Sequence, residues 1–222
     1  MEFNKQNILN KVKEAQQSTV VMDEGLRAHM LKVYNYMASA ILLTGVFSIL
    51  FYNLSGGSSI QISSAGISGL SSVGVAIYGS PLKWLVMLAP LGIVFYMSAR
   101  MNRMSASSAQ TVFWVFAALM GISLSSIFLR YTGFSIARVF FITSGTFGAM
   151  SIYGYTTKRD LTKLGSFLMM GLIGIIVASV VNMFLKSSMM DFVISILGVL
   201  IFVGLTAYDT QKIKNMYVSS DT

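Results

Sequence analysis

The residues able to do acid–base or metal chemistry are few and unevenly placed. Of eight acidic residues, Glu2, Glu14, Asp23 and Glu24 precede the first apolar run, Asp160 lies in a basic loop and Asp221 is next to last. Asp191 opens the last apolar run after Lys186, Ser187 and Ser188, where a carboxylate satisfies free backbone N–H groups and the helix dipole. Asp209 differs. It follows the uncharged run Phe192 to Tyr208 and comes one turn before Lys212 and Lys214. Such a carboxylate can titrate, attract a cation or pair with a cationic side chain, and Lys212 at i+3 offers the plainest pairing. The one histidine, His29, and the absence of cysteine exclude an intrachain His cluster, a Ser-His relay, thiolate sites and disulfides. An intramembrane aspartyl protease needs two facing carboxylates. Asp191 cannot be the second, because it stands about 27 Å from Asp209 along one helix. We expect no enzyme and no bound cofactor.

The elements that position these residues follow from composition. The chain has 222 residues, of which 55% are hydrophobic and 11% charged, with a mean hydropathy of +0.70. Soluble domains carry about 25% charged residues, so this chain has too few to cover a surface in water. Its apolar residues fall in six long runs, Val33 to Leu54, Leu82 to Ala99, Ala109 to Leu129, Ile136 to Thr156, Leu164 to Leu185 and Phe192 to Tyr208. Runs of this length cross a bilayer as helices. The sequence therefore predicts an all-α polytopic membrane bundle with six spans, over residues 33–210, between a tail at 1–32 and an end at 211–222. The connections other than 55–80 are too short for an extramembrane catalytic domain.

Twelve of the sixteen Lys and Arg residues fall on one side of alternating spans and four, Lys83, Arg130, Arg138 and Lys186, on the other. The positive-inside rule places both ends of this chain in the cytoplasm. The net charge of +8 reflects that topology rather than nucleic acid. Ile8, Val12 and Ala15 allow part of the tail to lie on the membrane as a helix, although a solvated tail is the simpler expectation. Residues 55–80 carry nine Ser, six Gly and no charge, which reads as a flexible connector, or alternatively as a re-entrant loop. Closely spaced small residues, among them Gly145, Gly148, Gly171, Gly174, Gly198 and Gly204, suggest close helix approach. Asp209 stands about 26 Å along its helix from Phe192, against about 30 Å of hydrocarbon. It is thus near the cytoplasmic boundary, where the second span also ends, and Arg100, or less directly Arg103, becomes a potential partner.

Two stretches carry a specific resemblance. Ala207-Tyr208-Asp209-Thr210-Gln211-Lys212-Ile213-Lys214, together with Ser151 through Leu161 (SIYGYTTKRDL), resembles the Bax inhibitor-one family, also called transmembrane Bax inhibitor motif proteins. Arg100 through Ser105 (RMNRMS) and Gly121-Ile122-Ser123-Leu124-Ser125 look like its bacterial branch. The resemblance covers about residues 30–217. It implies a seven-helix fold, of which this chain is expected to hold six spans and to lack the last. It also implies a pH-sensitive calcium leak pathway with a pair of aspartates as sensor. Asp209 matches the first of that pair, and the second has no counterpart in this chain. On that reading Asp209 is the pH sensor and the carboxylate that, with Thr, Ser and backbone carbonyl oxygens, meets a permeating metal ion. Arg100 and Arg103 are the latch candidates. Calcium prefers six to eight oxygens, so a lone carboxylate suits permeation better than storage. The alternative is a non-transporting regulator that binds other membrane proteins, such as a membrane protease or stress factors. A bacterial inner membrane, the lipid bilayer and an oligomer complete the expected setting.

Overall fold

The computed structural model describes the backbone of residues 2–64 and 66–217, and the side chains of 24–64, 66–101 and 103–217. Among the described residues there are seven α-helices: α1 (Glu2–Leu54), α2 (Ser72–Gly74), α3 (Leu82–Arg100), α4 (Ala106–Leu124), α5 (Gly133–Thr156), α6 (Thr162–Leu185) and α7 (Ser188–Met216). Among the described residues, six segments are long and apolar enough to cross a membrane: Glu24–Leu54, Leu82–Arg100, Ala106–Leu129, Gly133–Thr156, Thr162–Leu185 and Ser188–Met216. They coincide with the six runs expected. Only a helix satisfies every backbone group within its own segment in hydrocarbon, and the apolar runs leave no other option.

Except for α3, the spanning helices start earlier than their apolar runs, because polar residues begin or precede them. Ser105 and Ser187 cap α4 and α7, their hydroxyls accepting from the amides of Ser108 and Met190. At the other end, α7 continues through Met216, past the expected boundary at 210. Likewise α1 is already helical upstream of Val33. The apolar side chains singled out in the tail, Ile8, Val12 and Ala15, lie outside the described side chains.

The chain forms two compact units, residues 33–137 and residues 1–32 with 138–222. In the 33–137 unit, Gly121 lets α4 approach α1 closely. A Cβ there would stand 2.5 Å from the Thr44 carbonyl oxygen and 2.6 Å from Phe47 Cβ. The Thr44 hydroxyl donates to the Ala117 carbonyl at 2.8 Å, one turn earlier on α4. Dispersion and such cross-helix hydrogen bonds drive association where lipid is as apolar as the helices.

Residues 55–80 are folded, contrary to a flexible connector. An antiparallel hairpin pairs β1 (Gln61–Ser63) with β2 (Gly66–Ser68), Ile62 opposite Ile67. The Ser71 amide donates to the Ser55 carbonyl at 3.0 Å and its hydroxyl donates to the Leu54 carbonyl. Gly69 is required at its place: φ is 75°, and a Cβ would lie 1.9 Å from the Ser59 carbonyl oxygen. Tyr78, buried in the following π-turn (Val75–Gly79), shares a 2.7 Å hydrogen bond with the buried Ser125 at the end of α4. The polar, glycine-rich composition thus supplies local hydrogen bonds in place of a hydrophobic core.

Candidate functional site

The 1–32 and 138–222 unit brings the two diagnostic stretches together. At Gly154 the backbone of α5 meets α7, and a Cβ would fall 2.3 Å from the Ala207 carbonyl oxygen. Gly165 plays the same part for α6, where a Cβ would lie 2.5 to 2.7 Å from the Tyr208 ring. Glycine is the residue that permits both contacts. The close approach therefore occurs at the ends of α5 and α6. At Gly145, Gly148, Gly174 and Gly198 an added Cβ would meet no atom of another element within 4 Å among the described residues, while at Gly171 and Gly204 it would meet only side chains, Ile201 and Leu168. For the first four, the expected packing role does not hold.

One turn below this contact, α7 holds the α5–α6 connection. Gln211 is buried, its Oε1 accepting from the Leu161 amide at 2.9 Å and its Nε2 donating to the Arg159 carbonyl at 2.8 Å. Lys214 donates to the Tyr155 carbonyl at 2.7 Å, its ammonium 5.0 Å from the centre of the Tyr155 ring. Asp160 caps the start of α6 by accepting from the Thr162 amide at 2.9 Å. These hydrogen bonds to Thr162, aided by Lys163, hold the Asp160 carboxyl below its ordinary value of 3.8. At the far end of α7, Tyr217 receives residues of α1: the His29 and Tyr217 ring centres are 5.5 Å apart, and Gly25 lies directly against the Tyr217 hydroxyl.

Asp209 projects elsewhere. Its neighbours Ala207, Thr210 and Gln211 are buried in the seam, whereas Asp209 is exposed on α7. The described charge acting on it is that of Lys212, whose ammonium stands 6.0 Å from the Tyr208 ring centre. Arg100 closes α3 with its guanidinium 5.8 Å from the Tyr96 ring centre, and Arg103 ends the following turn, exposed. Both arginines belong to the 33–137 unit. Among the described residues, no three His, Cys, Asp or Glu gather into a metal-holding group. Asp191 lies in the first turn of α7, where the helix dipole favours a carboxylate, but it does not cap the helix as expected: Ser187 does, and the Asp191 carboxylate accepts from the Asn182 side-chain amide. Asn182 is also buried between the helix ends. It donates to the Ser187 carbonyl at 3.2 Å and accepts from the Ser187 amide at 3.0 Å, clamping the turn around Lys186, whose φ is 52°.

Sequence reasoning gave Gln211 no role of its own, and it counted Asn182 among the polar span residues that lose their partners without a further helix, whereas Ser187 and Asp191 partner it within this chain. The signal for Gln211 was present: an uncharged amide where the positive-inside pattern otherwise places lysine.

Six long apolar helices, tightened at helix-end glycines and locked by side-chain-to-backbone bonds, define a polytopic helical membrane protein. The family described as Inhibitor of apoptosis-promoting Bax1 matches residues 26–222, and the chain belongs to it. Protein RP147 of Rickettsia prowazekii is 53% identical over 195 residues, covering 88% of this chain and 76% of that protein. The inner membrane protein YbhL of Escherichia coli K12 is 43% identical over 198 residues, covering 89% and 78%. A Caulobacter vibrioides protein is 43% identical over 203 residues, covering 91% and 78%. No solved structure matches the chain.

Proposed function

We propose that this protein is a pH-responsive cation leak pathway, calcium being the ion that its family resemblance implies, with Asp209 as the titrating group. One observation carries the reading: Asp209 is a carboxylate within the last span, and it faces away from the seam that uses its neighbours. An ionisable group in a span is costly and points to a functional site, of which an ion path is one kind. The groups around it leave it available. Lys214 is committed to Tyr155, and Asp160 to the start of α6; Lys212 remains as the nearby cation on α7. In this proposal both chain ends are cytoplasmic by the charge asymmetry of the loops, and the membrane is the bacterial inner membrane, as the name of YbhL states for that relative.

Span order and charge supply the switch. By alternation, α3 and α7 end on one side of the bilayer, and Arg100 is the proposed partner of Asp209. Arg100 stays charged at any relevant pH. An ionised Asp209 attracts it; protonation removes the attraction, and acidification opens the path. Calcium entry into dye-loaded liposomes containing only the purified protein tests the function. Flux without any partner supports a leak. No flux at any pH removes the leak reading and leaves the regulator that binds other membrane proteins.

A further inference from the structure

The 33–137 unit contains Lys83, Arg100, Arg103 and Arg130 and not one Asp or Glu. Its cations therefore have no carboxylate within the unit to neutralise them. Two of them, Lys83 and Arg130, line one cavity of about 420 Å³, a size typical of ligand sites. Its walls are the β1–β2 hairpin, the π-turn, the start of α3 and the end of α4, and they are mainly apolar: Ile62, Ile67, Met87 and Ile122 are among them. The folded connector makes this cavity, since the hairpin supplies one wall and the Tyr78–Ser125 bond fixes the π-turn against α4. The loops on this side of the membrane hold one carboxylate, Asp191, and Asn182 occupies it.

We propose that this cavity binds one anionic phospholipid, its phosphodiester held by Lys83 and Arg130 and an acyl chain laid along the isoleucine and methionine wall. Three features select that occupant. The two cations demand an anion, and the guanidinium of Arg130 can grip phosphate oxygens in a planar fork. The apolar wall is wasted on free phosphate but fits a hydrocarbon chain. The site also lies at a span end, where headgroups reside: Lys83 begins α3, with its ammonium 5.6 Å from the Trp84 ring centre, and tryptophan favours that interface. Bound lipid would brace the hairpin against α3 and α4, so lipid composition would set the rigidity of the connector.

Native mass spectrometry of the purified protein, supplied with equal phosphatidylglycerol and phosphatidylcholine or with inorganic phosphate, tests the proposal. The expected result is one retained phosphatidylglycerol in preference to phosphatidylcholine. In the Lys83→Gln/Arg130→Gln double variant its retention should fall roughly thirty-fold, the joint worth of two cations at an anionic lipid surface. Ile67→Asp, which sets a like charge against the lipid, should also expel it. Lys186→Asn, on the same side but outside the cavity, should change nothing. All the substituted side chains are exposed, so the fold tolerates the changes. Equal retention of the two lipids, a phosphatidylglycerol adduct that survives the double variant, an equal loss in Lys186→Asn, or retention of phosphate in place of lipid would each overturn it.

Discussion

Replacing Gln211 with Met keeps the length and approximate volume of the side chain and removes only its hydrogen bonds. The Leu161 amide then loses its 2.9 Å acceptor in a buried setting, while the Arg159 carbonyl, in a partly buried one, can turn to water. An orphaned buried donor costs about 1–3 kcal/mol, and the exchanged carbonyl adds little. A net loss of about 2 kcal/mol corresponds to a fall in Tm of about 4–8 °C for a chain of this size. The assay is thermal unfolding in detergent, coupled to thiol labelling of a single cysteine placed at Lys158 in this cysteine-free chain. Labelling should quicken in Gln211→Met, because the connection between α5 and α6 is no longer held by α7. If Tm stays within about 1 °C of the parent and labelling is unchanged, Gln211 does not lock the seam and the packing argument fails.

Gly154→Ala should separate α5 from α7 and lower Tm, whereas Gly145→Ala, where an added Cβ meets open space, should be silent; the pair is read in one melting series. Asn182→Ala and Asp191→Ala should be non-additive in a double-mutant cycle, since each removes the same hydrogen bond. Folding lowers the Asp160 pKa, so its stabilisation of α6 is complete above the ordinary value of 3.8 and is lost as pH falls through the lower folded value. The melting difference between parent and Asp160→Ala should accordingly be flat at neutral and mildly acidic pH and vanish only in strong acid, which also removes Asp160 as the source of any mildly acidic switch.

The spans were legible because hydrocarbon imposes a single rule, a long apolar run with at most one charge, and each run proved to be a helix. Their polar starts were not, because Ser105 and Ser187 act as caps only through their position relative to a helix that apolar counting begins later. The connector was misread because serine and glycine also describe disordered linkers. Its order depends on particular bonds, such as Ser71 to Leu54 and Tyr78 to Ser125, that composition does not encode. Glycines counted as packing signals in mid-span were mostly idle, and those at Gly121, Gly154 and Gly165 carry the contacts. The reason is geometric: a small residue matters only where another backbone or ring lies opposite. The two diagnostic stretches were recognisable as strings, but their meeting through Gln211 and Lys214 is a tertiary fact. Asp209 stood out for its lack of neighbours in sequence, and the fold leaves it exposed beside residues that are buried.

If protonation of Asp209 governs cation leak, as proposed, the pH dependence of calcium flux in the Asp209→Asn protein reveals it. The amide has the same shape and cannot titrate. Reconstituted alone, the parent should leak more as pH falls from neutral to mildly acidic, and Asp209→Asn should lose most of that dependence, while Arg100→Ala should leak more than the parent at neutral pH. An Asp209→Asn protein with the parent's full pH response would contradict the account and leave Asp209 as an interfacial carboxylate beside Lys212.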